Sequence, residues 1–236
     1  MANFLHHGPC KKCGSRDNRG HYDDGSEYCF GCKDYKPPTK RSEGKVRKPV
    51  MDIRESVVSD IPEPNLSWLR QYLDDDKIKE FFVYSPDLGR HVYIDYSQDD
   101  EGDKLYWEAR KVADNKGIFQ KVISAGTKPY KIWGKWKETG VVVIVEDIVS
   151  AIKVSDYAGV LCLHGSIIPH SLYSTLGGMA GIKRIVIWMD RDKLSQADIY
   201  LRKFQAFGKN ASLVMTHKDP KAYSGEEIQE ILKDAV

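Results

Sequence analysis

The chain has 236 residues, 41% of them hydrophobic and 30% charged, with a formal net charge of +2. That balance is ordinary for a globular protein of one large or a few small domains, and it singles out no class of partner. There is no run of about 18 apolar residues, so no membrane span is predicted. The opening "MANFLHHGPCKKC" lacks the apolar stretch of a secretory signal, which predicts a cytosolic protein.

Four of the five cysteines lie in the first 32 residues. Cys10, Cys13, Cys29 and Cys32 form two C-x-x-C pairs fifteen residues apart. In a reducing compartment this spacing points to one tetrahedral zinc rather than to disulfides. The intervening segment predicts a hairpin turning at Asp24-Gly25. A module of about 40 residues is too small for its own core, so the metal is expected to supply most of its stability. Tyr22, Tyr28, Phe30 and Tyr35 stand among Lys11, Lys12, Arg16, Arg19 and Lys33. These aromatics either shield the metal or stack on single-stranded bases while the cations hold phosphates. Four thiolates complete the tetrahedron, so His6 and His7 read as loop residues unless they touch a template. Cys162, in the apolar "GVLCLHG", reads as core.

Next comes "KPPTKRSEGKVRK", in which six basic residues face one acid. It reads as a flexible basic linker, either a solvated tether or one that also touches nucleic-acid phosphates. "PNLSWLRQYLDDDKIKEFF" predicts one or two short helices. "HVYIDYS", "KLYWEARKV" and "IFQKVIS" predict strands, with "QDDEGD" as a hairpin loop. Period-two alternation puts Glu108 and Arg110 on one face and Trp107 and Ala109 on the other. Lys121 is expected on the following strand, with Lys128 and Lys131 after it. Arg110, Lys121 and Lys128 on one curved sheet would suit a triphosphate; scattered surface cations are the alternative.

From Gly140 onward strands and helices alternate, in the order expected of a parallel sheet with right-handed crossovers. The expected strands are "VVVIVE", "GVLCLHG", "RIVIWMD" and "ASLVM". A helix from Lys193 to Phe207 has its apolar stripe at Leu194, Ala197, Leu201 and Phe204. Ser224 and Glu227 make a capping box for the last helix. In such sheets ligands collect beyond the carboxyl ends of the strands. Glu146, Asp190, Asp192 and Asp219 are therefore expected to converge there, and four carboxylates need divalent cations, with oxygen ligands favouring magnesium or manganese. Acids that merely cap helices and fill loops are the alternative.

The series "VVIVED…IVIWMDRD…HKDPK" resembles a TOPRIM domain, the metal-binding fold of topoisomerases, bacterial primases and some nucleases. With the four-cysteine ribbon and the basic, strand-rich middle, the chain resembles the primase half of short-tailed bacteriophage primase-helicases. The resemblance implies an α/β fold with four parts. These are a zinc-ribbon template-recognition domain (1–36), a basic linker (37–60), a mixed α+β subdomain of the RNA polymerase domain (61–137) and a catalytic TOPRIM subdomain (138–236).

The same resemblance implies DNA-dependent RNA primase activity. Glu146, Asp190 and Asp192 would hold Mg2+ or Mn2+, with Asp219 as a further acid and Glu146 as either base or ligand. Arg110, Lys121 and Lys128 would hold nucleotide and primer. His7, Asp24, Ser26 and Tyr35 would meet the template. Two departures stand out: Asp147 follows Glu146 where glycine is usual, and Ser150 stands where a further acid is usual. Ser26 also occupies the place of a template-reading histidine.

Implied partners are single-stranded DNA, ribonucleoside triphosphates, a DNA polymerase for primer hand-off and a replicative helicase. The chain contains no G-x-x-x-x-G-K-[ST] phosphate loop, and "GGMAGIK" has the wrong spacing, so the helicase is expected in trans or as a C-terminal continuation. The implied location is the cytoplasm, that of an infected bacterium if the gene is phage-borne. Two rival readings are a non-catalytic RecR-like recombination protein and a TOPRIM nuclease. The first normally begins with helix-hairpin-helix sequence, absent here; the second would need no ribbon.

Overall fold

The computed structural model describes residues 4–37, 53–99, 102–112 and 121–234. Residues 38–52, most of the expected linker, lie outside the described residues, as do 100–101 of the expected loop and 118–120 of the expected "IFQKVIS" strand. The chain divides into two compact units, Met1–Val50 and Met51–Val236.

The first unit is an antiparallel sheet of β1 (Phe4–Gly8), β2 (Arg19–Tyr22), β3 (Glu27–Cys29) and β4 (Tyr35–Lys36), in that order. The β2–β3 turn forms where expected: Ser26 N–H donates to Asp24 Oδ1 at 2.9 Å and Gly25 N–H to the Tyr22 carbonyl at 3.0 Å. His6 and His7 lie in β1, opposite His21 and Gly20, not in a loop. Alternating aromatic contacts with β2 hold that strand: His6 stacks on His21 at 4.8 Å, and Phe4 meets Tyr22 edge-on at 6.0 Å.

In the second unit two short helices, α1 (Glu63–Arg70) and α2 (Asp75–Phe81), precede the antiparallel sheet β5 (Phe82–Ser85), β6 (Arg90–Asp99), β7 (Gly102–Arg110) and β8 (Val122–Gly126). Asp74 caps α2 by accepting from Lys77 N–H at 2.9 Å. Alternation along β7 falls as predicted. Trp107 and Ala109 are buried with Ile53 and Val92 on one face, and Glu108 and Arg110 line a cleft on the other.

The rest is a five-stranded sheet ordered β13-β12-β10-β11-β9. Its elements are β9 (Ile132–Gly134), α3 (Trp136–Thr139), β10 (Val141–Val145), α4 (Ile148–Val154), β11 (Gly159–Cys162), α5 (His170–Gly178), β12 (Arg184–Ile187), α6 (Leu194–Ala206), β13 (Ala211–Leu213) and α7 (Gly225–Asp234). β10, β11, β12 and β13 pair in parallel as expected. β9 adds an antiparallel edge that the sequence pattern did not announce.

β10 is buried throughout because both faces are covered. Val141, Val143 and Val145 pack with residues of α1, α2, α4 and α7; Val142 and Ile144 pack with residues of α5 and α6. Each such side chain stabilises the fold by about 1.5–3 kcal/mol relative to exposure. On α6 the buried stripe is Ala197, Tyr200 and Phe204 with Leu201 partly buried against it, and Tyr200 takes the place the pattern assigned to Leu194. The capping box forms: Ser224 N–H donates to Glu227 Oε2 at 2.6 Å, and Glu227 N–H to Ser224 Oγ at 3.2 Å.

Candidate zinc ribbon and acidic cleft

The four cysteines of the ribbon come together. All four Sγ atoms lie within 4.8 Å of one another, and the Cys10–Cys32 and Cys13–Cys29 separations are both 3.7 Å. A tetrahedron with zinc–sulfur bonds of about 2.3 Å has edges of about 3.8 Å, so the donor set fits zinc. Each knuckle turns on a left-handed residue after its second cysteine: Gly14 at φ 73° and Lys33 at φ 61°. Arg19 ties the sheet by donating to Glu27 at 2.6 Å and also to Asp34.

The four template candidates do not form one patch. His7 is exposed on the β1 edge and Tyr35 on the β4 edge, at opposite sides of the sheet. Asp24 is half-buried in the turn, and Ser26, only 7% exposed, is tied to it. A different surface stands out. The rings of Phe4 and Phe30, each 49% exposed, flank His7 at 4.7 and 6.0 Å. A Cβ on Gly20 would stand 3.2 Å from Phe30 and 3.5 Å from Phe4, so the missing side chain leaves room for both rings. Sequence reading named Phe30 but not Phe4, which only strand pairing brings alongside.

In the second unit, a cleft of about 260 Å³ opens where the β6–β7–β8 sheet meets the carboxyl ends of the parallel strands. It is lined by Glu146, Asp147, Asp190 and Asp219 on one side and by Arg110, Lys121, Glu108 and His91 on the other. Glu146 directly follows β10, and its Oε1 accepts the Asp190 backbone N–H at 3.0 Å. This bond couples the ends of two neighbouring strands. A larger hollow of about 520 Å³ beside α7, lined by Val141, Tyr157 and Leu232, holds none of these acids.

Burial pushes Glu146 up to about 7, with repulsion from Asp190 and Asp192 adding to it. Burial likewise pushes Asp190 up to about 6, helped by the charge of Asp219. Two buried acids resisting ionisation mark a place short of positive charge. Magnesium is commonly held by one or two carboxylates together with substrate phosphates, and Glu146 with Asp190 fits that chemistry. Among the described residues, only the four cysteines bring three or more possible ligand atoms within 4.8 Å of one another, so the acids form an open site rather than a closed cage.

Three of the expected site residues lie differently from the sequence reading. Asp192 does not line the cleft: its side chain is 70% exposed and paired with Lys193 at 2.6 Å. It sits in the 3-10 turn Arg191–Lys193, which faces it outward. Lys121 stands just before β8 rather than in it, its carbonyl accepting Lys111 N–H at 3.0 Å. Lys128 does not line the cleft itself but reaches its edge, its Nζ lying against the lining residue Gly165, where an added Cβ would be 3.1 Å away.

Other groups in the cleft went unassigned. Asp147 caps α4, accepting from Ser150 N–H at 3.1 Å and Ser150 Oγ at 2.7 Å. Lys221 joins it from the segment after Asp219. His164, at φ 48°, is a strained left-handed residue whose ring stands 3.0 Å from Glu108 Oε2, which also accepts from the Tyr106 hydroxyl at 3.0 Å. His91 stacks on Trp68 at 5.2 Å, with Nδ1 3.1 Å from Asn65 Oδ1. The sequence signals were a histidine at a strand end and one inside a strand, neither sufficient alone.

Comparison with solved structures defines the class: the fold is that of the zinc-binding and RNA polymerase domains of primases. The Aquifex aeolicus primase, in a crystal structure of those two domains, superposes with a TM-score of 0.57 at 13% identity, over 74% of this chain and 56% of that one. The primase fragment of the bacteriophage T7 primase-helicase superposes with a TM-score of 0.50 at 17% identity, over 99% of each chain. At these identities the likeness is one of fold. In sequence, the chain is 44% identical over 43 residues to the DNA helicase/primase of Enterobacteria phage T3, a match covering 18% of this chain and only 8% of that protein. No protein-family profile matches the chain. Among the described residues no helix is long and apolar enough to cross a membrane.

Proposed function

We propose that the chain is a DNA-dependent RNA primase that joins ribonucleotides on a single-stranded DNA template. One observation carries the reading: Glu146 and Asp190 meet Arg110 and Lys121 across a single cleft at the carboxyl ends of parallel strands. In the reaction a 3′ oxygen forms a bond to the α-phosphorus of a triphosphate, and the bond to pyrophosphate breaks. Arg110, Lys121 and Lys128 orient the triphosphate by charge-assisted hydrogen bonds. Glu146 and Asp190 hold Mg2+ or Mn2+, with Asp219 behind them and Asp192 at the rim. A divalent ion bound there would acidify the attacking hydroxyl and neutralise charge on the phosphoryl oxygens.

The ribbon, held together by zinc on Cys10, Cys13, Cys29 and Cys32, reads the template. Its Phe4, His7 and Phe30 rings form a platform suited to stacking on bases. The proposed division is a ribbon over 1–36, a tether over 37–60, a basic subdomain over 61–137 and a catalytic subdomain over 138–236. Proposed partners are single-stranded DNA, ribonucleoside triphosphates, a DNA polymerase that takes over the primer, and a replicative helicase, all in the cytoplasm of a host bacterium. The similarity to phage proteins named primase-helicase and helicase/primase supports the helicase link.

The decisive assay incubates the zinc-loaded chain with single-stranded DNA, labelled ribonucleoside triphosphates and Mg2+. Short template-complementary RNA is expected. DNA binding without synthesis would favour a recombination protein, and DNA cleavage would favour a nuclease.

A further inference from the structure

Four acids at one cleft were expected to require divalent cations. In the structure Asp147 lines the cleft where Asp192 was expected, and an ammonium lies between Asp147 and Asp219. Lys221 Nζ lies 3.0 Å from Asp147 Oδ2 and 2.8 Å from Asp219 Oδ2, and the residue is only 6% exposed. Its backbone carbonyl accepts Lys153 Nζ at 2.8 Å, which fixes the segment against α4. Lys221 thus stands within ion-pair distance of both carboxylates.

This arrangement also accounts for the two departures in the sequence. Ser150 brings a hydroxyl where an acid was expected, and the carboxylate comes instead from Asp147, one turn earlier, bonded to that hydroxyl at 2.7 Å. With Asp147 closed off by Ser150 and Lys221, and Asp219 sharing the same ammonium, Glu146 and Asp190 are, among the described residues, the acids of that wall with no cation in ion-pair contact. Two carboxylates match one divalent ion.

We propose that Lys221 is a resident cation of the acidic cleft: its ammonium occupies the place between Asp147 and Asp219 where a second divalent ion would sit, offsets one of their two charges, and leaves Glu146 and Asp190 as the single place where a divalent cation binds. The inference rests on the primase reading for the role of the acid pair. Its test counts ions without nucleotide, so it can fail while primer synthesis stands, and the reverse.

The probe is Mn2+ alone, titrated into the zinc-loaded full chain, with free ion counted by electron paramagnetic resonance. The wild type is expected to take up one Mn2+. Lys221→Met leaves two facing carboxylates without a counter-charge and is expected to take up two, with a thermal midpoint that rises more on Mn2+ addition than the wild type's. The double variant Lys221→Met with Asp147→Asn is expected to return to one. Two ions or none on the wild type, one ion on Lys221→Met, or two on the double variant would overturn the proposal. Should Lys221→Met fail to fold, Lys221→Gln, which keeps a polar partner for one carboxylate, takes its place with the same expected count.

Discussion

The Arg110 guanidinium lies 4.4 Å over the indole ring of Trp68, a residue of α1. The same ring stacks on His91, which faces Arg110 across the β6–β7 pair. A helix thus gives a strand cation a flat aromatic bed, which orients the guanidinium before any anion arrives. Cation–π contacts of this kind contribute about 0.5–2 kcal/mol. Trp68→Leu is expected to raise KM for ribonucleoside triphosphates about 3- to 30-fold with a smaller change in kcat, since each 1.4 kcal/mol is tenfold. Arg110→Lys should behave similarly, because a lysine loses both the planar stack and the two-pronged hydrogen bonding. Steady-state kinetics on a preformed primer checks both, and an unchanged KM in both variants would remove Arg110 from the nucleotide site.

His91 titrates far from its ordinary range: burial, then the charge of Arg110, depress it to about 3. The unfolded chain therefore takes up a proton near pH 6.5 that the folded chain refuses until about pH 3. Nothing is contributed above pH 6.5. Below it, this one group lowers stability by up to about 1.4 kcal/mol for each pH unit. His91→Gln should flatten the acid limb, as read from urea midpoints between pH 4.5 and 7. Parallel limbs in the two proteins would mean that the ring is protonated in the fold.

At the acid pair, Glu146→Gln and Asp190→Asn are each expected to reduce primer synthesis at least 100-fold, equivalent to about 2.7 kcal/mol of transition-state stabilisation. Binding of single-stranded DNA should stay near wild type. Asp192→Asn should cost less than either, because that carboxylate is turned outward and held by Lys193. Single-turnover rates at saturating nucleotide would order the three, and Asp192→Asn as the worst would show that the 3-10 turn refolds around the metal.

In the ribbon, elemental analysis should give one zinc per chain, and Cys29→Ser should abolish it and unfold the module while leaving Met51–Val236 intact by circular dichroism. Lys33 occupies the left-handed position that Gly14 fills in the other knuckle. Lys33→Gly is expected to stabilise the zinc-loaded ribbon by up to about 1 kcal/mol, since an L-residue there costs about 1–2 kcal/mol and glycine's extra freedom takes part of it back. A lower chelator concentration at the unfolding midpoint would contradict this.

Local chemistry was legible wherever short range decides it. The C-x-x-C pairs, the Asp24-Gly25 turn, the Ser224–Glu227 cap and the alternation of Trp107 and Ala109 against Glu108 and Arg110 each follow from spacing within a few residues. So does the strand–helix alternation after Gly140, because buried parallel strands need continuous apolar runs such as "VVVIV". The antiparallel β9 was missed because three residues at an edge carry no periodicity. His6 and His7 were misplaced because what holds them as a strand is pairing with β2, where His6 stacks on His21 fifteen positions away.

By itself, then, the sequence determined which acids end strands, which thiols pair and which faces are apolar, all of which follow from the geometry of a helix or strand taken alone. Only the tertiary structure decided which of those groups meet. Asp192 and Asp190 are two residues apart, yet a single 3-10 turn sends one into solvent and the other into the cleft. Lys221 and Asp147 are 74 residues apart, yet chain closure sets an ammonium 3.0 Å from a carboxylate. Spacing in sequence fixes direction within an element; the packing of β10, α4 and the turn after Asp219 against one another fixes which charges cancel.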